Sequence, residues 1–169
     1  MKTTIISLLL LGAVSMAAAQ GILEFSVTLD GNHAVPPNAT SLGGEGTFSL
    51  SPAFLFQGDV FIVNPLRGGN LTIYSSTAVD ALGTAVFTLE PLPIIPPDPT
   101  GEAFRANRTL TATERGDLLA GNWWAVYTTP SLPGEMIRGQ IVLVPEPSTW
   151  ALLAAGGVVV GWYGRRKMG

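Results

Sequence analysis

The segment Ile22-Leu23-Glu24-Phe25-Ser26-Val27-Thr28-Leu29 alternates apolar and polar side chains from residue 23 onward. Side chains of a strand point to opposite faces in turn, whereas those of a helix repeat every 3.6 residues. A period of two over this length therefore predicts a β-strand with one buried face.

Similar short runs, rich in Val, Ile, Thr and aromatic residues, recur along the chain between clusters of Gly, Pro and Asn. Runs of this kind bounded by turn residues are typical of strands. About seven of them predict an all-β domain, an antiparallel β-sandwich or barrel. The further runs are Gly46–Leu50, Asp59–Val63, Leu71–Ser75, Thr84–Leu89, Asn122–Thr128 and Met136–Leu143.

Two segments interrupt this pattern. Pro91–Pro99 contains five prolines in nine residues, which predicts an extended surface loop outside any central strand. Thr111 and Glu114 have the spacing of a capping box, and Gly121 stands where a helix commonly ends. We therefore expect one short helix at about 112–120 that packs Leu118 and Leu119 onto the sheet.

Large aromatic side chains are expected to supply much of the buried area of this domain. Trp123 and Trp124 are neighbours on a predicted strand, so one indole is expected in the core and the other on the outside. The outer indole is a candidate surface for stacking on a sugar or a protein partner, and packing at a sheet edge is the alternative. The expected core aromatics are Phe25, Phe48, Phe61 and one of the two tryptophans.

The composition excludes several classes of function. Only 12% of the 169 residues are charged, and Gln20 to Val144 holds eleven acidic residues, five arginines and no lysine, a net charge near −6. Such a chain lacks the basic face that nucleic-acid binding requires. It has no cysteine and one histidine, so thiolate chemistry, disulfides and imidazole-rich metal centres are excluded, and we expect no cofactor.

The first 19 residues have the sections of a secretory signal peptide: Lys2, an apolar run from Ile5 to Val14, and small residues at Ala17 and Ala19. We expect signal peptidase to cleave after Ala19, so that Gln20 becomes the first residue of the exported protein.

The last 26 residues predict a membrane anchor. After Val144-Pro145-Glu146-Pro147-Ser148, a stretch of about 147–164 is long enough as a helix for a thin bilayer, and Arg165, Arg166 and Lys167 follow it. Basic residues favour the cytoplasmic side. The domain is therefore expected outside the inner membrane, with the C-terminus in the cytoplasm.

This order of a Pro-Glu-Pro tripeptide, a short apolar helix and a terminal arginine cluster resembles the PEP-CTERM sorting signal. The resemblance covers residues 144–168 and implies recognition by an exosortase in a Gram-negative bacterium that makes exopolysaccharide. It further implies that the tail is cleaved and that the protein is released or attached at the cell surface.

The middle of the chain, 22–143, resembles a CHRD domain, a module named from chordin. The resemblance rests on two blocks, which open and close the domain. They are Leu29-Asp30-Gly31-Asn32-His33-Ala34-Val35-Pro36-Pro37 with Gly44–Leu50, and Leu118–Tyr127 with Pro133-Gly134-Glu135-Met136-Ile137-Arg138-Gly139-Gln140-Ile141.

The chain departs from this family at its polar positions. The family commonly carries a His-x-His pair and a further histidine, and these positions hold Thr72, Tyr74 and Thr128 here. Met136 stands at the position of a family glutamate, and Ala34 replaces an acid. A metal or polar role at these positions is therefore not expected in this chain.

Other candidate sites each have a plainer alternative. His33 near Asp30 is a candidate general base, and an exposed loop side chain is the favoured interpretation. Asp30, Asp98 and Glu102 are candidate calcium ligands, although the spacing of a calcium loop is absent. Arg138 is expected to pair with Glu135 or Glu114 and hold the last strand.

Two functions remain open from the sequence. The favoured one is a non-enzymatic surface or extracellular-matrix protein, sorted by its tail and associated with exopolysaccharide as a structural or binding module of a biofilm. The alternative is a secreted hydrolase that uses carboxylates, or a serine with His33.

Overall fold

A computed structural model describes residues 21–63, 68–93, 101–130 and 132–145. Within them the chain is mostly β, with ten strands and one short helix, so the predicted all-β class is confirmed. The elements are β1 Leu23–Leu29, β2 Gly43–Leu50, β3 Leu55–Val63, β4 Asn70–Ser75, β5 Thr84–Thr88, β6 Glu90–Leu92, β7 Gly101–Thr109, α1 Ala112–Leu119, β8 Trp123–Thr129, β9 Leu132–Gln140 and β10 Val142–Leu143.

The strands form two antiparallel sheets. The six-stranded sheet has the order β10-β1-β2-β3-β7-β6, and the four-stranded sheet has the order β5-β4-β8-β9. Two of the crossings between the sheets are each made by one buried residue. Leu89 joins β5 to β6, and Ile141 joins β9 to β10. Leu89 N–H donates to Leu71 O and Ile141 N–H to Trp123 O. Both switches therefore remain hydrogen-bonded to the four-stranded sheet.

The core between the sheets is centred on the ring of Phe56. This ring stacks on Phe48 at 4.8 Å between centroids and meets Phe25 and Trp123 edge to face at 6.5 and 5.6 Å. Edge-to-face and offset-stacked rings at these distances are favourable beyond their buried area. The predicted burial of Phe25 and Phe48 is confirmed.

Phe61 was expected in the core, and this prediction is wrong, because the side chain is 38% exposed. On β3 the buried positions are Phe56, Val60 and Ile62, so Phe61 lies on the opposite face. The apolar run 60–63 does not alternate, so the sequence could not show which positions face inward.

The predicted capping box is present at the start of the helix. Thr111 Oγ1 accepts from Glu114 N, and a Glu114 carboxylate oxygen accepts from Thr111 N at 2.7 Å. Gly121 follows with φ +74°, a conformation that favours glycine. Leu118 is buried as expected, whereas Leu119 is 41% exposed, so the expected packing of Leu119 on the sheet is wrong.

Two strands were not predicted. β7 pairs with β3 along its whole length. Its inward-facing side chains include the small Ala106, which weakens the apolar pattern by which a strand is predicted. β6 contains Pro91 and lies at the sheet edge, the position in a sheet where proline is tolerated. Of the predicted proline-rich loop, residues 94–99 lie outside the described residues.

The two ends of the domain lie side by side. β10 runs antiparallel to β1 through the pairs Phe25–Leu143 and Ser26–Val142, and Val144 N–H donates to Glu24 O at 2.8 Å. The chain therefore enters and leaves the domain at the same end of the six-stranded sheet. The predicted signal peptide and nearly all of the predicted sorting tail lie outside the described residues, within which no helix is long and apolar enough to cross a membrane.

Candidate binding groove and the predicted site residues

The structure buries both tryptophans that were candidates for surface binding. Trp123 is 0% exposed and points into the core, and Trp124 is 3% exposed on the outer face of the four-stranded sheet. β8 lies between β4 and β9, so the pair is not at a sheet edge. The expectation of one outward-facing indole is corrected: Trp124 does leave the core, but Arg138 covers it.

Arg138 holds the loop that contains Val79 and Ala81 against this outer face. Its guanidinium lies 3.9 Å from the centroid of the Trp124 ring, and its two terminal nitrogens each donate at 2.8 Å to the carbonyls of Val79 and Ala81. The predicted pairing with Glu114 is wrong, because that carboxylate bonds Arg108. The Glu135 side chain lies outside the described residues.

The positions that correspond to the family's histidines share one face. Thr72 and Tyr74 on β4 alternate with buried Leu71 and Ile73. The pairing of Asn70 with Thr128 places Thr128 on the same outer side of the neighbouring strand β8. Thr72 Oγ1 lies 2.9 Å from Thr88 Oγ1. The described residues thus bring hydroxyl groups together here, and neutral hydroxyls are weak ligands for transition metals.

His33 pairs with Asp30 in the loop after β1. Its Nδ1 lies 2.8 Å from Asp30 Oδ1, and its backbone N–H donates to the same oxygen. Burial pushes the pKa of Asp30 upward, but the hydrogen bonds and charge of His33 outweigh this and hold the pKa below its usual value. The side chains are 53% and 34% exposed, which matches the loop role expected for His33.

The two candidate calcium ligands that the structure describes, Asp30 and Glu102, already have other partners. Asp30 is engaged by His33, and Glu102 accepts from Tyr127 Oη at 2.7 Å and from Gly68 N at 2.8 Å. Asp98 lies outside the described residues. Within the described part of the chain, no group of three His, Cys, Asp or Glu side chains is arranged to hold a metal ion.

A groove that sequence reasoning missed crosses the outer face of the six-stranded sheet. It has a volume of about 490 Å³ and crosses β1, β2, β3 and β7. The strand register builds it from two rows of facing residues. One row is Ser26, Thr47, Asp59 and Arg105, of which Arg105 lies beyond the residues that line the groove, and the other is Thr28, Glu45, Phe61 and Ala103.

Phe61 forms the apolar part of this groove. A Cβ atom added to Gly101 would overlap the Phe61 ring, so the ring packs directly against the backbone of Gly101. Glycine at this position allows the ring to lie on the sheet while it remains 38% exposed. The groove therefore contains an aromatic ring, packed against the backbone, beside hydroxyl and charged groups.

The charged groups of the groove divide into a pair and a single carboxylate. Arg105 donates from Nε and Nη2 to the two carboxylate oxygens of Asp59 at 2.8 and 2.9 Å. The hydrogen bonds from Arg105 hold the pKa of Asp59 below its usual value. The exposed Glu45 carboxylate has no such partner among the described residues.

The predicted sorting residues lie just after β10. Val144 and Pro145 are the last described residues, so the remaining motif positions Glu146, Pro147 and Ser148, the basic residues and the cleavage positions Ala17, Ala19 and Gln20 fall outside. A family model for the PEP-CTERM protein-sorting motif matches residues 143–167. The motif indicates an exported protein that exosortase-type machinery sorts to the cell envelope or surface.

A second family model, for the CHRD domain, matches residues 25–141, a span from the middle of β1 to the switch at Ile141. No curated protein and no solved structure matched the chain. Both resemblances drawn from the sequence are confirmed. Because the match covers more than half of the chain, the protein belongs to the CHRD domain family and carries a PEP-CTERM sorting motif at its C-terminus.

Proposed function

We propose that this protein is a non-enzymatic component of the bacterial surface or extracellular matrix, which associates with exopolysaccharide after sorting. The observation that carries the proposal is the junction of domain and motif. The sorting motif begins at Leu143, the last residue of β10, so no separate linker divides the two. Machinery that recognises the motif therefore acts on a tail joined directly to the last strand of the β domain.

The non-enzymatic role is supported by how three of the described acidic side chains are used. Asp59, Glu102 and Glu114 each bond to a structural partner: Arg105, Tyr127 and Arg108. His33 bonds Asp30 in an exposed turn, and no hydroxyl group of the described residues bonds its ring. A hydrolase needs a general base within hydrogen-bond reach of a nucleophile or water. These contacts favour a scaffold over the alternative hydrolase.

The proposed route has two processing steps. Signal peptidase cleaves after Ala19, and the apolar segment at about 147–164 then holds the chain in the inner membrane with Arg165, Arg166 and Lys167 in the cytoplasm. An exosortase-like enzyme next recognises Pro145-Glu146-Pro147 and releases the domain or attaches it at the surface. A route of this kind places the folded domain among extracellular polysaccharide.

The test replaces Pro145-Glu146-Pro147 by three alanines in the full chain, expressed in an exosortase-containing bacterium. The apolar segment is untouched, so we expect the variant to stay in the inner-membrane fraction while wild type is released or reaches the surface. Alanines at Pro96-Pro97-Asp98 are the matched control and should sort normally. Intact mass of the wild-type protein reports both cleavages, and equal release of the sorting variant and wild type would overturn the proposal.

A further inference from the structure

We propose that the groove around Phe61 binds a neutral polysaccharide chain. This inference deepens the proposed function and rests on it, because it gives the exopolysaccharide association a site. It replaces the tryptophan pair, which the structure buries, with an aromatic residue that the structure exposes.

The ring of Phe61 supplies the apolar contact that sugar binding requires. The face of an aromatic ring carries partial negative charge, which attracts the partially positive C–H groups on one side of a pyranose. Contact with Gly101 holds the ring in place before any ligand arrives. Little side-chain entropy is therefore lost on binding.

The polar rows supply hydrogen bonds along a line. Ser26 and Thr47 stand beside the Asp59–Arg105 pair, and each row crosses four strands. At about 4.8 Å between neighbouring strands, a row spans about 14 Å. This length suits a run of linked sugar units rather than a single small molecule. Hydroxyl and carboxylate groups of the lining residues match the donors and acceptors of sugar hydroxyls.

Charge selects among polysaccharides. The segment from Gln20 to Val144 has a net charge near −6 and no lysine, and Glu45 adds an unpaired carboxylate among the described residues of the groove. A polymer rich in uronate or phosphate would be repelled. The only cation in the two rows, Arg105, is already held by both oxygens of Asp59. The groove therefore favours an uncharged glycan.

The experiment measures co-sedimentation of the full chain, in detergent, with three insoluble probes. These are a neutral β-glucan, a uronate-rich polysaccharide, and the polysaccharide of the producing cells. Two variants test the site: Phe61→Ala removes the ring, and Gly101→Ala displaces it without touching a polar group. Gln57→Ala is the matched control, because Gln57 lies on the same strand and face outside the groove. Circular dichroism verifies that each variant is folded.

We expect wild type and Gln57→Ala to bind the neutral glucan and the cell polysaccharide, and both groove variants to lose at least tenfold in affinity. Equal binding by the groove variants would overturn the groove site alone and leave polysaccharide association intact. Tighter binding to the uronate polymer than to the glucan would overturn the neutral ligand class. Wild type that binds none of the three overturns the proposed association together with this site.

Discussion

Arg138 stacks on Trp124 with its guanidinium carbon 3.9 Å from the ring centroid, and both side chains are buried on the outer face of the four-stranded sheet. A buried cation is costly unless its donors are satisfied, and here two of them hold the carbonyls of Val79 and Ala81. The pair thus holds the loop after β4 over the outer face of the four-stranded sheet.

The first prediction concerns this contact. Arg138→Lys keeps the charge but loses the planar fork, so at least one of the two loop carbonyls loses its donor. Hydrogen bonds to charged groups contribute about 1.5–3 kcal/mol, and the free energy of unfolding should fall by that order. Urea denaturation measures it. Arg105→Lys, in the exposed pair with Asp59, is the control and should leave the midpoint nearly unchanged; equal midpoints for both variants would contradict the prediction.

The second prediction concerns two glycines at the helix. A Cβ on Gly116 meets no atom within 4 Å, so Gly116→Ala should stabilise the protein by about 0.5–1 kcal/mol. Gly121 has φ +74°, and Gly121→Ala should destabilise it by about 1–2 kcal/mol. Thermal melts of the two variants should therefore shift in opposite directions. A loss of stability in Gly116→Ala would show that the helix needs that glycine for another reason.

The third prediction concerns acid sensitivity. Burial raises the pKa of Glu114, but hydrogen bonds from Thr111 and the charge of Arg108 outweigh it, and the net pKa lies below the usual value. A lowered folded-state pKa contributes stability above the ordinary carboxyl range, and this is lost as pH falls through the folded-state value.

Glu114→Gln keeps an oxygen acceptor for Thr111 but carries no charge. Its melting temperature should therefore fall less than that of wild type between pH 6 and pH 3. The exposed Glu24→Gln is the control and should follow wild type. A parallel fall for Glu114→Gln and wild type would contradict the assignment.

The fourth prediction concerns alkaline titration. Burial, then the hydrogen bond to Glu102, raise the pKa of Tyr127 well above its usual value. A raised folded-state pKa means that the contribution to stability is complete below the ordinary tyrosine range and is lost as pH rises through the folded-state value. Absorbance at 295 nm should show one of the three tyrosines ionising only when the protein unfolds.

Tyr127→Phe should remove this late step and lower the free energy of unfolding by about 1–3 kcal/mol, because Glu102 loses a donor. Tyr74→Phe, on the outer face, serves as the control and should keep the late step. Complete ionisation of the folded wild-type protein would contradict the burial of Tyr127.

The fifth prediction concerns metal. One imidazole and no thiol leave the chain without the ligands of a structural transition-metal site. We expect EDTA to leave the melting temperature unchanged, measured by scanning calorimetry before and after dialysis. A fall of more than a few degrees, restored by calcium, would reveal an oxygen-ligand site, with Asp98 in the undescribed segment as the first residue to change.

Local patterns made much of the fold predictable. The alternation in 22–29 and the capping box at Thr111 depend on neighbouring residues, and the structure has both β1 and α1 at these places. β7 was missed because its pairs with β3 join residues 38 to 54 positions apart and nothing local requires the pairing.

The candidate site was harder to predict for the same reason. Trp124 is buried because Arg138 and the loop at 79–81 lie over it, and that contact joins residues far apart in sequence. Phe61 is exposed because the register of three neighbouring strands turns Val60 inward. Composition does not encode register, so the sequence alone could not show that Phe61 is exposed while Trp123 and Trp124 are buried.

The pairing of β10 with β1 also sets how the domain responds to tension on its tail. A load on the tail meets the hydrogen bond from Val144 to Glu24 first, then two residue pairs, and reaches the buried corner at Ile141 only after they open. Release of residues 142–145 frees about 13 Å of chain for the tether while β9 stays paired with β8. The pairing of β10 with β1 is therefore the first part of the domain that tension on the tail would open.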